Sequence, residues 1–185
     1  MHGFFIKVKE IFSIESCVGL LISLIYIFVL TFIVFPGVSG HTYFTFIDSG
    51  SWFFLTMIII FNVADTVGRY CGGKPAFNIH SRSVVIGTAV RTIFAATFLL
   101  TGFEVGPSWL FNSDWFKMTN MVLFALTNGY FSTLCAVKAP QAVHVEERSK
   151  VGSFIGIGIS SGIVLGSIFA IPMGFVVKEM PPTPY

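Results

Sequence analysis

Apolar residues in this chain come in five long runs, at about 15–35, 52–71, 84–102, 116–137 and 152–177, separated by short polar stretches. Each run is close to the roughly 20 residues a helix needs to cross the hydrocarbon core of a bilayer. The connections PGVSGHTYFTFIDSG, CGGKPAFNIHSR, GFEVGPSWLFNSD and APQAVHVEERSK are rich in turn formers, and PPTPY forms a tail. None of them has room for a soluble domain. The expected fold is all-α and integral to a membrane: a single transmembrane domain over 1–185 with about five spanning helices.

Composition sharpens this picture. Apolar residues make up 54 % of the chain, charged residues 11 %, and the mean hydropathy is +0.82, whereas soluble domains carry about 25 % charged residues. A net charge of +2 is too small to point to a nucleic-acid partner, and no segment interleaves Lys or Arg with aromatics for base stacking. Cys17, Cys71 and Cys135 are odd in number and far apart, so neither a disulfide framework nor a zinc site is indicated. Lys7 and Lys9 precede the first apolar run as in a signal peptide. That run is longer than a signal core, though, and ends in Pro36-Gly37 without a small-residue cleavage pattern, so a retained first helix is expected.

Positive residues near helix ends stay cytoplasmic. Lys7 and Lys9, then Lys74 and Arg82, then Lys138, Arg148 and Lys150 fall on one side of the expected crossings, against only Lys117 and Lys178 on the other. This alternation puts the amino terminus in the cytoplasm and the carboxy terminus outside or in a lumen.

The second run reads IIIFNVADTVGRY and places Asn62, Asp65, Gly68 and Arg69 within or at the cytoplasmic end of a span. Charges there cost about 2.5–3.5 kcal/mol each at a helix centre and usually face a cavity or a partner. Asn62, Asp65 and Arg69 are spaced i, i+3, i+7, on one helix face, and Asp65 and Arg69 form an i,i+4 pair of opposite charge. That stripe of acceptors and donors suits a polar, uncharged ligand with hydroxyl or ring-nitrogen groups. Equally, the pair can simply neutralise itself and pin the helix to a neighbour, with Arg69 reaching the interface. Arg91, inside the third run, is open to pairing with Asp65 or another acid, or to lying nearer the interface. The fourth run carries Asn120, Thr127, Asn128, Gly129, Tyr130, Ser132 and Thr133, a stripe that interhelical hydrogen bonds explain most simply. Asn128-Gly129 is also a place where the helix could loosen.

In the fifth run Gly158, Gly162 and Gly166 recur every four residues, with Gly152 and Gly156 as a second pair. Such small-residue faces let helix backbones approach closely, so this helix reads as a packing element. His2, His41, His80 and His144 fall outside the expected spans, and Glu146 and Glu147 read as solvated loop charges. No catalytic grouping or phosphate-cradling loop is present. No enzyme activity, metal or cofactor is expected.

Several of these segments resemble the equilibrative nucleoside transporter family. FNVADTVGRY at 61–70 is similar to that family's eighth-helix pattern of Asn, two residues, Asp, two residues, Gly-Arg. FPGVS at 35–39, Arg91, NGYFSTLCAVKAP at 128–140 and GIVLGSIFAIP at 162–172 follow in the family's order, from the end of its seventh helix to its eleventh. The resemblance implies a carboxy-terminal bundle of a major-facilitator-like transporter, and facilitated diffusion of nucleosides, sometimes nucleobases, by alternating access. It implies substrate contacts by Asp65 and Arg69, support from Asn62, and a cavity wall including Phe35 and Ile58. It also implies a plasma-membrane protein whose partners are the nucleoside, the lipid bilayer and an amino-terminal half of six helices absent from this chain. The rival expectation is a truncated, non-transporting membrane interaction protein.

Overall fold

The computed structural model describes residues 2–38, 51–102 and 113–178, with side chains placed at 14–35, 52, 55–101 and 113–172. The expected connections over 39–50 and 103–112, with His41 and Asp48, and the PPTPY tail lie outside the described residues. Those residues form six α-helices, a short π segment and two single 3-10 turns, and no strand. The α-helices are α1 (His2–Phe32), α2 (Ser51–Gly72), α3 (Ser81–Val90), α4 (Thr92–Gly102), α5 (Asp114–Gln141) and α6 (Arg148–Lys178).

Four stretches, Ile14–Phe35, Ser81–Thr101, Asp114–Gln141 and Val145–Pro172, are long and apolar enough to cross a membrane. Helix α2, with 22 residues, extends about 33 Å at 1.5 Å per residue. Its length suffices, and Asn62, Asp65 and Arg69 dilute its apolar character.

Two boundaries differ from the sequence expectation. Helix α1 starts at His2 instead of near 15, because nothing in MHGFFIKVKEIF breaks a helix once it has left the apolar core. The third run is two helices joined at Arg91, not one. The Arg91 amide donates to the Gly87 carbonyl at 3.3 Å and the Arg91 carbonyl accepts from Phe94 N at 3.0 Å, a single tight turn that leaves the path of the chain continuous. At the end of α1, Phe35 leaves the helical region (φ −128°, ψ 120°), as the residue before a proline must when Pro36 crowds its backbone.

Contact register gives the helix directions. Along α1 and α6, Gly158 and Gly162 meet Ile25 while Gly166 meets Val29 and Phe32, so the two run parallel. Gly68 meets Leu126 and Tyr130, and Gly72 meets Tyr130 and Thr133, so α2 and α5 are parallel as well. Helix α4 opposes α5, since Arg91 lies at Phe124 and Asn128 while Thr97 reaches Asn120. Successive crossings therefore alternate in direction.

Two apolar clusters fill the interior. One joins Cys17, Leu20, Leu24, Ile27, Val84, Leu134, Cys135 and Ala139; the other joins Leu30, Val34, Met57, Phe98, Met121 and Phe124. Between them along the helices lie Thr31, Arg91 and Asn128, all buried. A polar layer thus separates two apolar ones.

Candidate functional site

The polar layer is built around two residues that the bilayer penalises most. Asp65 on α2 is 9 % exposed and Arg91, at the α3–α4 junction, is 1 % exposed. They do not bond to each other. Asn128 on α5 stands between them, donating from Nδ2 to Asp65 Oδ1 at 2.7 Å and accepting at Oδ1 from Arg91 Nη2 at 3.2 Å. Thr31 on α1 adds its hydroxyl to Asn128 Oδ1 at 2.7 Å. Arg91 further donates to Thr31 Oγ1 and the Phe124 carbonyl, both at 3.4 Å, and to Thr127 Oγ1 at 3.2 Å. Its guanidinium lies 4.9 Å from the centre of the Phe124 ring, within the range of a cation–π contact. Arg91 is thus neither at the interface nor paired with an acid: an amide carries its link to Asp65.

The other carboxylate oxygen of Asp65 accepts from Arg69 Nε at 2.7 Å. Because the Arg69 side chain is 48 % exposed, the pair runs from the interior to the open face of α2. Bonding through Nε leaves the two terminal nitrogens of Arg69 with no hydrogen-bond partner among the described residues.

Helix backbones must nearly touch for side chains as short as Asp and Asn to meet. Gly68, three residues after Asp65, and Gly129, next to Asn128, provide that approach. A Cβ on Gly68 would run into the Leu126 carbonyl oxygen, and one on Gly129 into the Asp65 carbonyl oxygen. Helix α5 is unbroken at Asn128-Gly129, so these residues close a seam and do not loosen the helix.

The remaining expected site residues divide. Asn62 is exposed, and its Nδ2 donates to the Ile58 carbonyl of its own helix at 2.8 Å; it makes no hydrogen bond to Asp65 or Arg69. Ile58 is half-buried one turn away. Phe35 stacks on Phe61, ring centres 4.8 Å apart and 11° from parallel, and Phe61 lies 6.4 Å from Phe124. Phe94 and Phe98 meet Phe124 edge-on at 6.3 and 5.6 Å. An aromatic wall therefore stands beside the polar layer. The sequence placed Asn128 and Thr127 only in a generic polar stripe and did not single out Thr31; the signal in hand was a polar residue recurring at one depth of different helices.

On α6, a Cβ at Gly162 would lie 2.8 Å from the Ile25 carbonyl oxygen and 2.8 Å from Phe28 Cβ; at Gly166 it would lie 2.7 Å from Phe32 Cβ. Gly158 meets only the Ile25 side chain, at 3.3 Å, and Gly152 and Gly156 have nothing within 4 Å. The second glycine pair is therefore not a packing face among the described residues. Those residues also hold no cluster of three metal-ligating side chains, and all three cysteines are free.

The sequence profile of the nucleoside transporter family matches residues 2–175. The chain is 28 % identical over 148 residues to equilibrative nucleotide transporter 2 of Arabidopsis thaliana, covering 80 % of this chain and 34 % of that protein. It is 29 % identical over 157 residues to equilibrative nucleoside transporter 2 of Rattus norvegicus, covering 79 % and 34 %. With nucleoside transporter 1 of Crithidia fasciculata the identity is 24 % over 177 residues, covering 90 % and 33 %. The chain thus spans about a third of the length of the relatives it matches. With its series of membrane-crossing helices and a match along nearly its whole length, this multi-pass membrane chain belongs to the nucleoside transporter family.

Proposed function

We propose that this chain forms the carboxy-terminal bundle of a carrier that moves nucleosides by facilitated diffusion, a transport role and not a catalytic one. The observation that carries this reading is the Asp65–Arg69 pair: its acid is held in the interior and its guanidinium is half exposed with free donors. A nucleoside is uncharged and carries hydroxyls and ring nitrogens. Arg69 offers a planar donor edge to them, Asp65 keeps spare acceptor capacity, and Phe35, Ile58 and Asn62 border the same face. Alternating access then consists of this bundle rocking against an amino-terminal one around the bound substrate.

Uptake and equilibrium binding of adenosine and uridine in proteoliposomes, with and without a supplied amino-terminal half, test the reading. Asp65→Asn keeps the size and removes the charge; with a charged hydrogen bond worth about 1.5–3 kcal/mol, affinity falls roughly 10-fold to 100-fold. Arg69→Lys also weakens binding, since Lys lacks the planar fork. A purely structural ion pair gives another pattern, in which Asp65→Asn combined with Arg69→Gln restores the affinity lost in each single variant. That recovery would refute direct substrate contact.

The orientation we propose, with the amino terminus cytoplasmic in the plasma membrane, rests on the Lys/Arg distribution. Single-cysteine labelling in intact cells should find positions 74 and 150 inside and 48 and 114 outside. Labelling of 48 and 74 from the same side would overturn it.

A further inference from the structure

The Asn128 amide has one nitrogen end and one oxygen end, and its neighbours determine which faces which way. Arg91 has five N–H donors and no acceptor. The end of Asn128 turned toward Arg91 must therefore be the oxygen; the Thr31 hydroxyl lies 2.7 Å from that same oxygen and 2.7 Å from the Ile27 carbonyl, and shares its one hydrogen between them. The NH2 end is left to face Asp65, where it donates to Oδ1 at 2.7 Å. The opposite orientation would set amide hydrogens against guanidinium hydrogens and an amide oxygen against a carboxylate. Arg91 also keeps Nη1 buried with no partner among the described residues, although an orphaned charged donor in the interior is expensive.

We infer that Arg91 and Asn128 are positioning residues for the substrate face: Arg91 fixes the polarity of the Asn128 amide, and Asn128 holds the Asp65 carboxylate turned so that its second oxygen takes Arg69 Nε. Arg91 contacts neither Asp65 nor Arg69 through a hydrogen bond. It acts on them through one amide, with α1, α5 and α2 each contributing a member. The consequence is that the donor edge of Arg69 at the open face is set by a buried cation three links away. This inference rests on the reading of Asp65 and Arg69 as the substrate face only for its effect on affinity. The geometry itself stands apart from the substrate.

Two substitutions separate polarity control from mere bulk. Lys at 91 is, like Arg, a donor without an acceptor and keeps the Asn128 oxygen facing it; Gln can donate or accept, so the amide is free to turn over. The chain has four arginines, so the Arg69 Nε–H resonance can be assigned in 15N-arginine-labelled protein in detergent by its loss in Arg69→Lys. The expected result is a displaced or broadened Arg69 Nε–H signal in Arg91→Gln and a near-native one in Arg91→Lys. With adenosine as the probe, Kd rises about tenfold in Arg91→Gln and recovers in Arg91→Lys. Should Arg91→Gln not fold, Thr31→Val removes one of the donors to the Asn128 oxygen and gives a smaller displacement in the same direction. An unmoved Arg69 signal in the Gln or Val variant, or equal displacement by Lys and Gln, would overturn the inference. Absence of adenosine binding even when the chain is joined to an amino-terminal bundle would defeat the transport reading, and the arginine spectrum still decides this one.

Discussion

Two seams in this bundle are closed by glycine, and they are closed differently. Between α1 and α6 the glycines are all on one helix: Gly158, Gly162 and Gly166 receive Ile25, Phe28, Val29 and Phe32 of the other. Between α2 and α5 they are reciprocal, with Gly68 and Gly72 on one side and Gly129 on the other, each facing backbone atoms of its neighbour. In the one-sided seam Gly162 and Gly166 face the Ile25 and Val29 carbonyl oxygens as well as the Phe28 and Phe32 side chains, so one helix alone supplies the room. A reciprocal seam draws the two backbones together from both sides, and across it Asp65 and Asn128, with one and the same short reach, meet at 2.7 Å. In lipid, where tails are as apolar as Leu, close packing and polar contacts between helices replace the hydrophobic effect as the force of association. The first seam relies on packing alone, and the second couples packing to the polar layer.

The comparison is broken most severely at Gly129. A methyl group there meets the Asp65 carbonyl and has no flexible side chain to displace, so α2 and α5 must separate. Overpacking typically costs 1–3 kcal/mol, and separation also strains the Asn128–Asp65 hydrogen bond, itself worth about 1.5–3 kcal/mol. Gly129→Ala should therefore lower stability in detergent by about 3–5 kcal/mol and weaken nucleoside binding in whatever protein still folds. Thermal unfolding of the purified variant measures the first effect. A native-like melting curve would mean that the two helices are not held by backbone approach.

These seams were not equally legible in the sequence. The α6 glycines repeat every four residues within one apolar run, so their shared face follows from helical period alone. Gly68 and Gly129 sit in different helices, and each has a local explanation as a motif residue or a point of looseness; their partnership exists only once the helices pack. The same holds for Arg91. The sequence left it open to Asp65, to another acid or to the interface, whereas the fold interposes Asn128, because an amide can accept from a cation and donate to an anion at once. The helical class and the succession of membrane-length helices were readable because hydropathy is local. The one tight turn at Arg91 was not, since no Pro and no Gly stands at that position.

At the α1–α6 seam the expected effects are graded by what lies opposite each glycine. Gly162→Ala meets a backbone carbonyl and the root of the Phe28 side chain, both at 2.8 Å. It should cost about 1–3 kcal/mol, and Gly162→Leu more. Gly158→Ala meets the Ile25 side chain at 3.3 Å, which a small rotamer adjustment relieves at about 1 kcal/mol or less. Neither change should alter nucleoside affinity among folded molecules, since this seam does not carry the Asp65 network. A loss of affinity in Gly162→Ala larger than its loss of stability would show that the two seams are coupled and would erase the distinction between them.

The smallest effect sharpens the comparison from the other side. Gly156 lies in the same helix, two residues before Gly158, yet a Cβ added there would meet nothing from the rest of the fold within 4 Å, and its neighbours Phe154 and Ile157 are exposed. Here glycine brings no packing gain, while its backbone freedom disfavours a helix by roughly 0.5–1 kcal/mol relative to alanine. Gly156→Ala should accordingly leave stability unchanged or raise it by up to about 1 kcal/mol, with no change in nucleoside binding. Measured beside Gly162→Ala in the same detergent, it separates a glycine that a neighbour requires from one that no described neighbour does. A destabilising Gly156→Ala would mean that another surface covers this face of α6 in the assembled protein, and that the face resembles the reciprocal seam more than the open one.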